Sequence, residues 1–311
     1  MTLSAASYLA GALELAAIVA PLAYAAWRLR ATALAAWTGA PARLVETVLA
    51  VVGLLWLSEL LGSVGLFEDA PMIIGSIAVG IAAEFACRRL APSVAQAPPV
   101  AASSGLAWAC AAIVCAGVAA GWMVPTLASL AGGMDRADTL WYHMPLAAKF
   151  VQTGHLGSIY HFDPIFFASF YPANSEVVHA VGILAFGRDI VSPLLNLGWL
   201  AVGLLASYCI GRPYGVGPAS LIGGAIALGS QQLVEFQAGE ALNDITGVAF
   251  LLAAVAIVVN AGAAGTLSRP AWALSFAGLA AGVAAGVKLS FLAPVGALFV
   301  GVIVIAGRGE R

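Results

Sequence analysis

Long apolar runs that carry almost no charge constrain this chain more than any other feature. They cover residues 8–27, 44–66, 71–86 and 105–130, and after a break 175–186, 190–210, 216–233, 241–260 and 272–305. A helix of about 20 residues spans the hydrocarbon core of a bilayer, and most of these runs approach that length. None shows the period-two alternation of a membrane barrel strand. A helix, by contrast, satisfies its own backbone hydrogen bonds within one segment in lipid. The composition agrees: 62% of the residues are hydrophobic and 9% are charged, against roughly 25% charged in soluble domains. The expected fold is all-α, a polytopic transmembrane helix bundle. The last run is too long for one span, and Lys288 and Pro294 inside it imply two helices or a broken one.

The few charges orient the bundle. Arg28, Arg30 and Arg43 fill the first connection, Glu68 and Asp69 the second, and Arg88 and Arg89 open the third. Positive connections stay in the cytoplasm, so the N-terminus and the segment after residue 130 are expected outside, in a multi-pass protein of the plasma membrane. No Lys or Arg precedes the first apolar run, so no cleavable signal peptide is expected. A net charge of -2 with no basic cluster excludes a nucleic-acid partner and leaves membrane lipids and lipid-linked molecules. Cys87, Cys110, Cys115 and Cys209 have no CxxC spacing and read as small buried hydrophobes. The Ala-, Pro- and Ser-rich stretch 91–104 reads as a linker, with accessory transmembrane helices expected over 1–104 and the transmembrane core over 105–311. No solenoid repeat is visible.

The break at residues 131–171 differs from its surroundings. Within GGMDRADTLWYHMPLAAKFVQTG, residues 132–154, Asp135, Arg136, Asp138, His143 and Lys149 gather among aromatics. A connection of this length is either functional or disordered. Trp141, Tyr142, Phe150, Tyr160, Phe162, Phe166, Phe167, Phe170 and Tyr171 argue against disorder. Leu140, Met144, Ala147 and Val151 recur at helical spacing, Asp138 stands at the N-cap position, and Gly154 stops the pattern. The expectation is an amphipathic helix lying in the interface within a long external loop. Pro145 is the one residue that opposes it.

Asp138 has two readings that spacing does not separate. It caps exposed amides, or, half screened from water, it serves as a general base toward a hydroxyl. Glu240, Asn243 and Asp244 open an apolar helix, where acids complement the helix dipole; ionisable residues at that depth are also functional candidates. Lys288 either snorkels to an interface or faces an anion such as a phosphate. His143, His155, His161 and Asp163 are candidate metal ligands without the i, i+4 pair of a zinc helix. Glu176 and His179, at i, i+3, face one side of the next helix.

Four segments in order carry a resemblance. DTLWYHMPLAAKFVQTG resembles the first external loop of the GT-C glycosyltransferases, in family 39 and its dolichyl-phosphate-mannose-protein mannosyltransferase-like relatives. YPANSEVVHAVGILAFGRD resembles their second core helix with its Phe-Gly turn, ALNDITGVAFLLA their Asn-Asp helix start, and GLAAGVAAGVKLSFLAP their Gly/Ala-rich helix ending in a lysine. The resemblance covers residues 135–294. It implies an integral-membrane enzyme that moves a sugar from a polyprenyl-phosphate donor to a glycan, lipid or protein acceptor on the outer face, by inverting single displacement. Asp138 matches the catalytic loop acid and Asp244 the second acid, which orients the acceptor or holds a divalent metal ion. Lys288 and Lys149 become candidates for the donor phosphate. Asp135, Tyr142, His143, Glu176 and Asn243 complete the expected substrate-binding set. Family members are usually longer, so the GT-C-like core is expected to be incomplete at its C-terminus. The Ala- and Gly-heavy composition fits a high-GC bacterium and an envelope glycan as product.

One expectation conflicts with this site. If every apolar run crosses, the spans beginning at 175, 190 and 216 leave Asp244 on the cytoplasmic side, away from Asp138. A re-entrant or tilted run removes the conflict. Two other classes remain open: a carrier or flippase for lipid-linked sugars, which would place its site near the midplane between repeated halves, and a non-catalytic scaffold of an envelope complex.

Overall fold

The structure, a computed structural model, describes residues 4–90, 96–157, 168–264 and 271–308. Helices α1 (Ala5–Ala33), α2 (Ala40–Ser63), α3 (Asp69–Arg89) and α4 (Gly105–Gly132) follow the first four apolar runs. Local chemistry sets their starts. Ser4 Oγ accepts the Ser7 amide at 3.1 Å and Ser104 Oγ the Ala107 amide at 3.2 Å, each an N-cap bond that stabilises its helix by about 1 kcal/mol. Pro41 opens α2, where its missing N–H costs nothing.

The second half is more broken. It comprises α5 (Met144–Thr153), α6 (Asn174–Phe186), α7 (Ser192–Gly211), α8 (Gly217–Leu228), α9 (Gln231–Gln237), α10 (Asp244–Ala263), α11 (Ala271–Ala285) and α12 (Leu292–Arg308). The described residues contain no strand, and six helices, α1 to α4, α7 and α10, are long and apolar enough to cross a membrane. The chain is an all-α polytopic helix bundle.

Its core lies around α2 and α10. Leu44, Val45, Val48, Val52 and Leu55 of α2 join Ala249, Phe250, Ala253 and Ile257 of α10, with α1, α7 and α11 packed on them, in one apolar cluster. Helices on both sides of the 91–104 stretch share that cluster. Alanine and glycine permit the close approach. A Cβ on Gly247 would overlap the Phe291 ring, so the turn before α12 seats directly against the α10 backbone. Without a hydrophobic drive between helices in lipid, such close packing and side-chain hydrogen bonds carry the association. Trp122 Nε1 donates to the Leu228 carbonyl at 3.0 Å, linking α4 to α8, and Asn260 Nδ2 to the Cys209 carbonyl at 2.8 Å, linking α10 to α7. Cys87 and Cys209 are buried as expected, but Cys110 is exposed on α4 and Cys115 half-buried.

Two of the long sequence runs divide. The run over 216–233 becomes α8 and α9, separated at Gly229 and Ser230, and the run over 272–305 stops at Ala285 and restarts at Leu292, with Lys288 in the gap and Pro294 in the first turn of α12.

The run over 175–186 does not cross. α6 starts where the Asn174 amide meets the Gly286 carbonyl at 3.1 Å, and ends where the Phe186 ring lies 5.6 Å from that of Tyr8 in the first turn of α1. That end of α1 is also the end where α2 stops, since the two are antiparallel neighbours. There the Leu156 amide bonds Gly62 and the Phe67 amide bonds Gly154. Both ends of α6 therefore sit at one end of the bundle. With thirteen residues α6 has a length of about 20 Å, short of the roughly 30 Å hydrocarbon core. Of the two alternatives the sequence left open, the re-entrant run is the one that fits: α7 leaves this end, α8 and α9 return to it, and Asp244 and Asp138 come to the same end of the bundle.

The opposite end is closed by ion pairs. Arg30 donates from Nε and Nη2 to Glu46 Oε1 at 2.7 and 2.6 Å and from Nη1 to the Trp37 carbonyl at 3.3 Å, and Arg43 reaches Glu46 Oε2 at 2.6 Å. Arg30 and Glu46 are buried. Glu46→Ala strands Arg30 without its counter-charge and is expected to destabilise the bundle by about 3 kcal/mol. Denaturant unfolding in micelles measures this, and a midpoint equal to the wild type would mean the pair does not hold that end together.

Candidate functional site

The site begins with a corner that is not helical. Between α9 and α10 the backbone of residues 238–243 leaves regular structure, and Asn196 of α7 satisfies it. Its Nδ2 donates to the carbonyls of Gln237, Glu240 and Leu242 at 2.8, 2.9 and 2.9 Å. Gly239 makes the turn possible: its φ is +75°, and a Cβ there would come within 2.9 Å of the Pro125 carbonyl oxygen. Glu240, almost fully buried, then turns toward the segment after α4. It accepts the amides of Asp135 and Arg136 at 3.1 and 3.4 Å. Thr139 Oγ1 accepts the Ala241 amide at 3.2 Å, and the Arg136 guanidinium lies 5.0 Å from the Phe236 ring centre. The segment carrying Asp138 is thus tied to the start of α10.

The interfacial helix forms, with one irregular turn. Residues Thr139–His143 make a wide turn in which the Met144 amide bonds the Thr139 carbonyl five residues back. This accommodates Pro145, which has no N–H to give. The wide turn also rotates Leu140 out of the expected stripe. Leu140 is 57% exposed, whereas Met144 and Ala147 are buried and Val151 half-buried. Gly154, at φ +69°, ends the helix as the sequence predicts. Of the two readings of Asp138, capping is not the one observed: its own φ and ψ, -65° and -36°, are helical, and its side chain makes no capping bond.

Asp138 instead lines a cavity of about 380 Å³. The other polar walls are Tyr142, Glu176, Asn243, Lys288 and Ser290, and Leu146, Pro172 and Val287 supply apolar surface. Asp138 accepts no hydrogen bond among the described residues. Tyr142 stands beside it, edge-on to Tyr171 with ring centres 5.8 Å apart. Burial first, then the charges of Asp138 and Glu176, push the Tyr142 phenol well above its ordinary pKa. The phenol thus stays a neutral O–H donor.

Lys288 enters from the break between α11 and α12. Its Nζ is 2.6 Å from Asp244 Oδ1, and Asp244 Oδ2 accepts Gln237 Nε2 at 2.9 Å. Gln237 Oε1 in turn accepts the Ile245 amide at 3.3 Å. Asn243 Nδ2 donates to the Val287 carbonyl at 3.0 Å, fixing the lysine's backbone against α10. Behind the cavity, Glu176 hydrogen-bonds His143 Nδ1, and both are buried beside His179. Among the described residues Glu176 Oε2 and both ring nitrogens of His179 have no hydrogen-bond partner.

Of the residues expected from sequence, Asp138, Tyr142, Glu176, Asn243 and Lys288 line one cavity. Asp244 reaches it through Lys288 and His143 through Glu176. Asp135 and Lys149 are exposed and lie off the cavity wall, Asp135 contributing only its amide to Glu240. His155 packs against Gly65, and His161 and Asp163 lie outside the described residues. A divalent metal does not fit at Asp244, because both of its oxygens already face N–H donors, one of them an ammonium. The described residues offer no cluster of three metal-ligating side chains elsewhere. Sequence reasoning did not find Asn196, Gln237 or Thr139. Asn196 is a lone polar residue within an apolar run, and that was the available signal; Thr139 and Gln237 lie in the connections and carried none.

Asn196→Asp keeps the side-chain shape but removes the donor, leaving three carbonyls opposed by a carboxylate. The expected result is a loss of about 2 kcal/mol or more in stability, accompanied by faster proteolysis near residues 237–243 in micelles. Equal cleavage rates in variant and wild type would contradict the role given to Asn196.

No protein-family model matches the chain, and neither does any curated protein or solved structure.

Proposed function

We propose that the chain is a membrane glycosyltransferase of GT-C type, which moves a sugar from a polyprenyl-phosphate donor to an envelope acceptor. The observation that supports this most is the convergence of a carboxylate with no partner among the described residues, Asp138, and an ammonium, Lys288, on one cavity at the end of a lipid-embedded bundle. Sugar transfer from a lipid phosphate needs those two charges on opposite sides of the reacting carbon. Asp138 takes the proton of the acceptor hydroxyl as that oxygen bonds the anomeric carbon. The bond from that carbon to the phosphate oxygen breaks, and the phosphate leaves as an anion. Lys288 stabilises the charge that develops there.

Asp244 acts as a positioning residue in this scheme. Its contact with Lys288 holds the ammonium at the cavity wall, and Gln237 holds Asp244. Tyr142, as a neutral donor, and Asn243 and Glu176 bind sugar hydroxyls. The Arg-rich connections lie at the opposite end of the bundle, and the positive-inside rule applied to them supports reading the cavity as extracytoplasmic in a plasma membrane.

Asp138→Asn is expected to lower kcat by about 10² to 10⁴ while leaving the melting temperature and KM for the donor within a few-fold of wild type. Lys288→Gln is expected to lower kcat/KM by about 10². A sugar-transfer assay with polyprenyl-phosphate sugars in liposomes measures both. Full transfer by the Asp138 variant removes that residue from the mechanism.

A further inference from the structure

A second cavity, of about 210 Å³, opens between α2 and α11, and the proposed reaction makes no use of it. Its polar wall is Glu59 and Trp56 of α2 with Asn174 of α6. Glu59 lies inside a helix apolar enough to cross the membrane, yet it has no hydrogen bond or ion pair among the described residues. A bare carboxylate in such a segment is costly and marks a candidate ligand site. Its depth is informative. Glu59 stands four residues before Ser63, the end of α2, which is roughly 6 Å along the helix axis. That puts it near one end of the crossing helix, and among the described residues no basic side chain lines the cavity to meet the charge.

The other polar groups ask for the same ligand. Asn174 commits its Nδ2 to the Val283 carbonyl at 3.3 Å, leaving Oδ1 as an acceptor. Trp56, 62% exposed, adds an indole one turn from Glu59. A carboxylate, a carbonyl oxygen and an aromatic ring together suit an ammonium group with N–H bonds to give. The site also has room for a tail. Gly278 and Gly282 of α11 line this cavity and also an apolar groove of about 580 Å³ between α11 and α12, walled by Leu274, Val295 and Phe299. A Cβ at either glycine would meet nothing within 4 Å, so no side chain separates the cavity from the groove.

We propose that the two spaces bind one phospholipid with a primary-ammonium headgroup, phosphatidylethanolamine. Its ammonium pairs with Glu59 and Asn174 Oδ1 beside Trp56, and one acyl chain crosses Gly278 and Gly282 into the groove between α11 and α12. This site is independent of the sugar-transfer reading. The full chain, equilibrated with equimolar phosphatidylethanolamine and phosphatidylcholine of identical acyl chains, is examined by native mass spectrometry for retained lipid. Wild type is expected to enrich the ethanolamine lipid about fivefold, and Glu59→Gln to bring the ratio near one with an unchanged melting temperature. The wild-type chain alone gives a second reading: monomethyl and dimethyl ethanolamine lipids should be retained progressively less as donors are lost. Gly282→Val should reduce retention of every lipid in the series. Equal retention of the two lipids by wild type, or undiminished enrichment by Glu59→Gln, overturns the proposal. Retention untouched by Gly282→Val overturns the path given to the tail.

Discussion

The three hydrogen bonds from Asn196 carry more of this architecture than any helix pair. A chain in lipid has no water to satisfy an exposed carbonyl, so irregular backbone survives only where protein groups replace that water. Residues 238–243 interrupt the helical chain between α9 and α10, and one amide nitrogen lies within hydrogen-bond distance of three of the carbonyls there. Everything at the cavity hangs from that corner. Glu240 is placed to hold Asp135 and Arg136, Thr139 docks on Ala241, and Asn243 and Asp244 face the break that carries Lys288. The same logic applies at Gly286. Its carbonyl is taken by the Asn174 amide, and a side chain there would strike the Asn174 carboxamide.

Charge follows a similar division. Arg30 and Glu46, Arg28 and Glu84, and Asp244 and Lys288 are paired, and Glu240 is neutralised in effect by backbone amides. Among the described residues Asp138 and Glu59 make no such bond, and each borders a cavity. Pairing is what a low-dielectric bundle demands of a charge kept for structure. A carboxylate left unpaired beside open space is available to something that is not part of the chain.

Much of this was legible in the sequence, and the illegible part has a physical reason. The long apolar runs gave α1 to α4, α7 and α10 because length and composition alone decide whether a segment crosses. Gly154 and Lys288 marked real ends because a left-handed turn and a lone charge inside an apolar run both leave local signatures. Whether the 175–186 run crosses or re-enters stayed open in the sequence, because its apolar composition is that of a crossing helix while its length is short of one. Only its packing, with Phe186 against Tyr8 and Asn174 against Gly286, shows that it turns back. Spacing left Asp138 open between a cap and a base, and Pro145 stood only as an objection to a helix that does form; the wide turn at Thr139–His143, which no sequence pattern announced, sets the register around both.

That turn also explains why the cavity residues come from such different places in the chain. Widening the helix by one residue before Pro145 moves Leu140 to the surface while His143 turns inward to Glu176 and Tyr142 to the cavity wall. In an unbroken α-helix from Asp138, every residue before Pro145 would shift by about 100° relative to the stripe formed by Leu146, Ala147 and Phe150. Tyr142 would leave the wall and His143 would lose Glu176. The proline that argues against the helix is thereby the residue that aims it. It removes the one amide that would otherwise close the turn on the Trp141 carbonyl, and the chain adopts the register in which Asp138, Tyr142 and Glu176 meet.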